Sequence, residues 1–204
     1  MNANEADKLF DPLFAQSADP WHFEGSWYEE RKRNIVLACL PHRRYASVFE
    51  PGCAGGYLSE HLVQRTDRLL AWDGSERAVQ YTADRLRAHP HCTAAQGWIP
   101  NQWPDESFDL IVLSELLYYL PEQDIKSIAQ RCRANALSGV ATTVLACHWL
   151  RPFQNFPLGG AAAHAILNAD LQMTQVAQWV DSDFRLDIWS TDAQTVAQRE
   201  GRAD

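Results

Sequence analysis

Glu50-Pro51-Gly52-Cys53-Ala54-Gly55-Gly56 is the stretch of this chain whose residue types could do chemistry together. The apolar pair Val48-Phe49 leads into it, and a helical pattern leads out through Tyr57-Leu58. That order predicts a strand, a tight turn and a helix start. Glycines at 52, 55 and 56 would open backbone angles closed to other residues and let a ligand approach the main chain. The positive end of a helix behind such a turn favours anions. The carboxylate of Glu50, just ahead of the turn, would repel a phosphate and suit a ligand carrying an ammonium or sulfonium. Asp73 ends the next apolar run, Leu69-Leu70-Ala71-Trp72, 21 residues past Gly52. An acid at that distance, closing a second strand, is placed to grip ribose hydroxyls, two oxygens for two donors. Its structural alternative is an N-cap of the following helix.

These residues resemble the first motif of the class I S-adenosylmethionine-dependent methyltransferases, acid-x-Gly-x-Gly-x-Gly, with Ala54 in the middle glycine position. The resemblance implies S-adenosyl-L-methionine as cofactor. Glu50, Gly52, Cys53, Ala54 and Gly56 would face its methionine part, and Asp73 and Gly74 its ribose. Cys53 is expected as a small packing residue and not a nucleophile. Gly97-Trp98-Ile99 stands where that superfamily usually carries an acid near the adenine. The acid is absent, so Trp98 or Ile99 could pack on the purine, or Trp98 could be core. Ser114, at the end of the fourth strand, completes the implied cofactor set.

The segment Ser114-Glu115-Leu116-Leu117-Tyr118-Tyr119, with Asp19-Pro20-Trp21 and His148-Trp149, is similar to the nodulation protein S (NodS) family over roughly residues 19–190. Its characterised members methylate the free amine of a deacetylated chitooligosaccharide, which implies an amine acceptor, an amino sugar first. Methyl transfer is an in-line displacement in which positioning supplies much of the rate. An amine must be neutral to attack, so a base or carboxylate nearby helps. Glu115, His148 and Tyr118 are the candidate catalytic residues, and Trp27, Tyr119 and Trp149 the candidate acceptor-binding ones. Glu115 could instead cap a turn, His148 could be a satisfied core histidine, and His164 could reach the pocket mouth. O-methylation of a small metabolite, a nicotinamide-dependent oxidoreductase and a non-catalytic cofactor-binding module are the competing readings.

The elements that must position these residues alternate through about residue 147. Strands are expected at 47–50, 69–73, 92–96, 108–113 and 140–147, with helices at 27–40, from 56, at 74–88 and at 122–136. A helix at 161–168 and a hairpin-like pair near 171–181 and 185–190 follow. Alternation of this kind predicts an α/β fold, a Rossmann-like doubly wound seven-stranded sheet of the class I methyltransferase type. An aromatic-rich cap or lid over residues 1–30 precedes the methyltransferase domain at 31–192, and a flexible polar tail covers 193–204. Ser26 and Glu29 suggest a capping box at the start of the first well-defined helix.

Composition bounds the partners. The chain has 204 residues, 46% apolar and 22% charged, which fits one globular domain. Net charge of −8 argues against a nucleic-acid partner. The short clusters Arg31-Lys32-Arg33 and Arg43-Arg44 are expected as a solvated helix face and a loop. No apolar run is long enough to predict a membrane helix. Five scattered cysteines without ligand spacing fit a reducing cytoplasm and no metal site. The expected partner is a small-molecule acceptor, and the protein a monomer or dimer.

Overall fold

The computed structural model describes residues 3–151 and 156–203. In chain order the helices are α1 (Ala3–Gln16), α2 (Trp27–Cys39), α3 (Ser59–Leu62), α4 (Glu76–Leu86), α5 (Glu122–Leu137), α6 (Gly160–Leu171) and α7 (Val196–Arg199). The strands are β1 (Val48–Pro51), β2 (Leu69–Asp73), β3 (Cys92–Gln96), β4 (Leu110–Ser114), β5 (Thr143–Trp149), β6 (Thr174–Val180) and β7 (Phe184–Ser190). They form one seven-stranded sheet in the order β3-β2-β1-β4-β5-β7-β6. Strands β1 to β5 run parallel, and β7 lies antiparallel between β5 and β6. The order reverses at β1–β4, which opens a crevice at the carboxyl ends of those strands.

Alternation along the strands splits the core into two layers. Val48, Leu110, Val112, Leu145 and Cys147 face the layer that holds Val36, Leu62 and Leu86. Phe49, Ile111, Leu113, Val144 and Ala146 face the layer of Ile125, Ile128, Leu167 and Trp189. Both faces of β4 are buried, so it reads as an unbroken apolar run.

Several boundaries moved for local reasons. The helix expected from residue 56 is short: Ser59–Leu62, then a 3-10 turn at Val63–Arg65. The cap segment opens with a helix, α1. Only half of the expected capping box forms at α2: the Glu29 amide donates to Ser26 Oγ at 3.3 Å, while the Glu29 side chain turns to Lys32. The polar tail carries α7, capped by a complete box at Thr195 and Gln198. Arg199 ties it back, donating to Pro41 O at 2.7 Å. Cys53, Cys132 and Cys147 are buried, and Cys39 and Cys92 partly so. Pro152 and Phe153, which follow β5 in the chain, lie outside the described residues. Among the described residues no helix is long and apolar enough to cross a membrane.

Candidate active site

The turn after β1 is built by its backbone. The amides of Gly52 and Cys53 both donate to Trp72 O, at 2.7 and 2.9 Å, so the turn folds over the end of β2. Gly52 and Gly56 take φ of 76° and 75°, in the left-handed region that glycine favours. A Cβ on Gly56 would stand 3.2 Å from the Thr82 Cα on α4, so this glycine lets helix and turn approach. Ala54 is also left-handed, at φ 50°. The middle position of the motif thus keeps glycine's conformation with alanine in it, at a cost of about 1–2 kcal/mol.

Two carboxylates meet at this turn. Asp73 accepts from the Ala54 amide on Oδ2 and the Ser75 amide on Oδ1, each at 2.9 Å. Asp73 therefore braces the turn and faces the cleft, while the N-cap of α4 is Ser75. Burial raises the Asp73 pKa, opposed by these amides. Glu50 is buried and accepts a 2.6 Å bond from Ser59 Oγ. Burial, with Asp73 nearby and Ser59 opposing, pushes Glu50 up to about 8. Two carboxylates with raised pKa values, Glu50 buried and Asp73 partly so, favour a cationic ligand, which would stabilise their ionised forms.

A cavity of about 420 Å3 runs from this turn across to α2, the loop after β4 and the end of β5. Glu50, Gly52, Cys53, Ala54, Asp73, Gly74, Trp98, Ile99 and Ser114 line it, as do Glu115, Tyr118, Tyr119 and Trp149. Trp98 lies so close over Gly74 that a Cβ there would sit 2.1 Å from the ring. The glycine makes room for the indole at the cavity edge. Phe10 and Phe14 of α1, with Trp21 and Phe23, form an aromatic wall, and Phe10 meets Tyr119 edge-on at 5.0 Å.

Glu115 is the hub of the opposite wall. It sits at φ 52°, just past β4, with its amide donating to Cys147 O at 2.8 Å. One oxygen accepts Lys32 Nζ at 2.6 Å. The other accepts the Tyr118 hydroxyl at 2.7 Å and the Trp149 amide at 3.0 Å. Lys32 also donates to Glu29 at 2.9 Å and sits 5.1 Å above the Tyr28 ring. Burial works against the Lys32 charge, but Glu115 and Glu29 outweigh it and hold the ammonium above its ordinary pKa. Burial and Glu115 push Tyr118 well up, and burial lifts Tyr119 to about 12, so both stay protonated donors. Two polar atoms on this side, Tyr28 Oη and Arg33 Nε, are buried without a hydrogen-bond partner among the described residues. The Arg33 guanidinium donates through its other nitrogens to Phe23 O, at 3.4 Å.

The structure corrects several expectations. Lys32 belongs to no solvated face: it is buried, because Tyr28, Lys32 and Val36 at helical spacing turn one side of α2 inward. The i, i+4 spacing of that basic residue with Tyr28 and Val36 was the available signal. Glu29, Arg33, Phe10 and Phe14 were missed for want of any local motif. Trp27 is 69% exposed and does not line the cavity, since it opens α2 on the outward side. His148 is fully buried and also lies off the cavity. The two-residue period of β5 sends Cys147 and Trp149 toward α2 and His148 toward α6. His164 is fully buried against His148, away from any pocket mouth. Gly56 supports the turn from behind without lining the cavity.

A seven-stranded sheet in this order, with a glycine-rich turn after β1 and an acid ending β2 at one cleft, defines the class I methyltransferase fold. The nodulation protein S (NodS) family model matches residues 4–141, and the chain belongs to that family. Nodulation protein S of Rhizobium tropici is 32% identical over 103 residues, 50% of this chain and 43% of that protein. The chain thus spans about half the length of the curated relatives it matches. A crystal structure of a candidate methyltransferase from Pseudomonas syringae is 42% identical, with TM-score 0.70 over 81% of this chain and 99% of that one. The N-methyltransferase NodS of Bradyrhizobium japonicum WM9, crystallised with S-adenosyl-L-homocysteine, shares the fold at TM-score 0.75 and 23% identity, over 90% and 96% of the two chains.

Proposed function

We propose that this protein transfers a methyl group from S-adenosyl-L-methionine to the nitrogen of a small polar amine. An amino sugar, or the free-amine end of a deacetylated chitooligosaccharide, is the first candidate acceptor. The observation that carries this reading is one cavity joining the Glu50–Asp73 wall to the Glu29–Lys32–Glu115 wall. NodS-family membership supports the amine.

The residues present fit the cofactor. Glu50 offers a buried carboxylate to an ammonium, and Asp73 has lone pairs left for ribose hydroxyls. Arg33, with a buried orphan Nε and no ion-pair partner among the described residues, suits the cofactor's carboxylate. When bound, the cofactor would supply an electrophilic methyl on a sulfonium. The chain's own task is to hold the acceptor in line with it and keep water out, and the aromatic wall from Phe10 to Phe23 serves the second purpose. Both oxygens of Glu115 already hold hydrogen bonds, so Glu115 serves as the hub that sets Lys32, Tyr118 and Trp149 in place. Glu29 lines the cleft with one oxygen on Lys32 and, among the described residues, no hydrogen bond on the other, so it is the better carboxylate for the amine. The Tyr118 proton is held by Glu115, so Tyr119 is the hydroxyl that donates to the acceptor, and Trp149 offers a face to a sugar ring.

Calorimetric titration with S-adenosyl-L-homocysteine, with a nicotinamide dinucleotide as control, tests the cofactor. Binding of the first alone is expected. A mass-shift screen of amine acceptors, starting with deacetylated chitooligosaccharides, then tests the reaction. Preference for the dinucleotide would restore the oxidoreductase reading. Cofactor binding without turnover of any amine would turn the search to oxygen acceptors or to a binding module.

A further inference from the structure

Behind the Glu115 wall lies a line of buried polar groups that the proposed reaction does not use. His148, His164 and Asp187 are all fully buried. The Leu117 amide donates to His148 Nε2 at 3.0 Å. His148 Nδ1 lies 2.9 Å from His164 Nε2, and His164 Nδ1 lies 2.6 Å from Asp187 Oδ2. Asp187 is held by Arg185 on the same oxygen at 2.6 Å, and by Gln175 and Gln178 on the other.

Donor and acceptor chemistry leaves one proton order for this line. A backbone amide can only donate, so His148 Nε2 must be bare. The neutral ring then carries its proton on Nδ1 and donates it to His164. His164 Nε2 must be bare in turn, and its Nδ1 proton goes to the carboxylate. An extra proton on either ring breaks the order. If His164 gains one, His148 shifts its own proton to Nε2, and that proton then points at the Leu117 N–H. If His148 gains one, the same two donors face each other. In both cases the Leu117 amide loses its acceptor inside an apolar core, where an unmade hydrogen bond is costly.

Leu117 begins the 3-10 turn Leu117–Tyr119 that carries Tyr118 back to Glu115, and the Tyr118 ring stands edge-on to His148 at 5.5 Å. Glu115 holds its left-handed conformation in the same loop. We propose that His148, His164 and Asp187 are positioning residues, a proton-ordered relay that holds the Leu117 amide and so keeps the Glu115–Tyr118 loop in its working shape at neutral pH and releases it in acid. The relay rests on the methyl-transfer reading only for the importance of that loop.

The charged and titratable groups around the pair come from each packed element. Asp187 and Arg185 belong to β7, Lys32 to α2, and Glu115 and Tyr118 to the loop itself. Strand β6 contributes the neutral Gln175 and Gln178. Burial, His164 and Lys32 hold His148 well below its ordinary pKa. Burial raises Asp187, but bonds from His164 and Arg185 overcome it and bring it to about 2. Both directions agree with a neutral His148 and an ionised Asp187.

The test is nuclear magnetic resonance on the whole chain labelled with nitrogen-15. Long-range proton–nitrogen spectra should place the proton on Nδ1 of both His148 and His164 at neutral pH. Leu117 amide exchange should be protected there and lose protection by about tenfold as the relay gains a proton in acid, the scale of one net hydrogen bond. His148→Gln keeps an acceptor near the Nε2 position but cannot titrate, so Leu117 protection should persist into acid. His148→Phe keeps the bulk without the acceptor, so protection should be low at every pH. Nε2 protonation of His148 in the unmodified protein, or acid-sensitive protection in His148→Gln, would overturn the relay. Binding of S-adenosyl-L-homocysteine, measured alongside, reports separately on the cofactor reading.

Discussion

On one wall of the cleft, Glu50, the glycine-rich turn and Asp73 lie within 24 consecutive residues. On the other, Lys32 and Glu115 form an ion pair across 83 residues of sequence, and Trp149 closes the same hub from a third segment. The first wall is made of backbone: amides of Gly52, Cys53, Ala54 and Ser75 set its shape, with two carboxylates as its chemistry. The second is made of side chains that satisfy one another. Under the proposed function the contrast separates cofactor from acceptor. A shared cofactor can be met by a local motif, whereas an acceptor site must be assembled, and fold alone does not carry it between relatives.

The largest effect is expected from Lys32→Met. It leaves Glu29 and Glu115 partly buried without their cation, and stability should fall by about 3–5 kcal/mol in denaturant unfolding. Arg31→Ala, which loses a half-exposed pair with Asp181, should cost about 1 kcal/mol or less. Equal losses would mean that the second wall is no more than surface.

Asp73→Ala attacks the first wall. It removes acceptors for ribose hydroxyls and the brace on Ala54, so S-adenosyl-L-homocysteine affinity should drop by about 100-fold, roughly two bonds to a charged group. The fold should survive, as seen by circular dichroism. An unchanged affinity would remove Asp73 from the site.

Glu50 makes the comparison pH-dependent. Its folded pKa of about 8 lies above the ordinary 4.5. Its contribution to the empty protein's stability is therefore full below about 4.5 and lost as pH rises through about 8. Binding of an ammonium favours the ionised form. Affinity for S-adenosyl-L-homocysteine should thus rise by up to about tenfold per pH unit between about pH 6 and 7.5. In Glu50→Gln the slope should vanish; a slope that persists would assign the proton to another group.

The smallest effect is expected from Ala54→Gly, which relieves the left-handed alanine but loosens the unfolded chain. A change within about 1 kcal/mol, visible in the unfolding midpoint, would show that the motif tolerates either residue; a larger loss would give the Ala54 methyl a packing role.

The alternation of strands and helices, the turn, and the placing of Asp73 were legible because each rests on short-range rules: apolar runs of strand length, glycine at a tight bend, an acid at a set distance. Ser114–Tyr119 was legible as a site segment because it leaves the end of a buried strand. The roles inside it were not, since Glu115 gets its meaning from Lys32, and nothing near residue 32 announces a partner at 115. His148 failed as a cavity residue for a similar reason. Its position at the end of β5 could be read, but the face it points to depends on the register of β5 against β4 and β7. Sequence alone determined the alternating strands and helices, the glycine-rich turn and the two carboxylates of the first wall, because local sterics and hydrophobic period act between near neighbours. Only the tertiary structure decided which charges meet on the second wall and which histidine turns away from it, because those outcomes depend on packing between segments that the chain does not bring together until it folds.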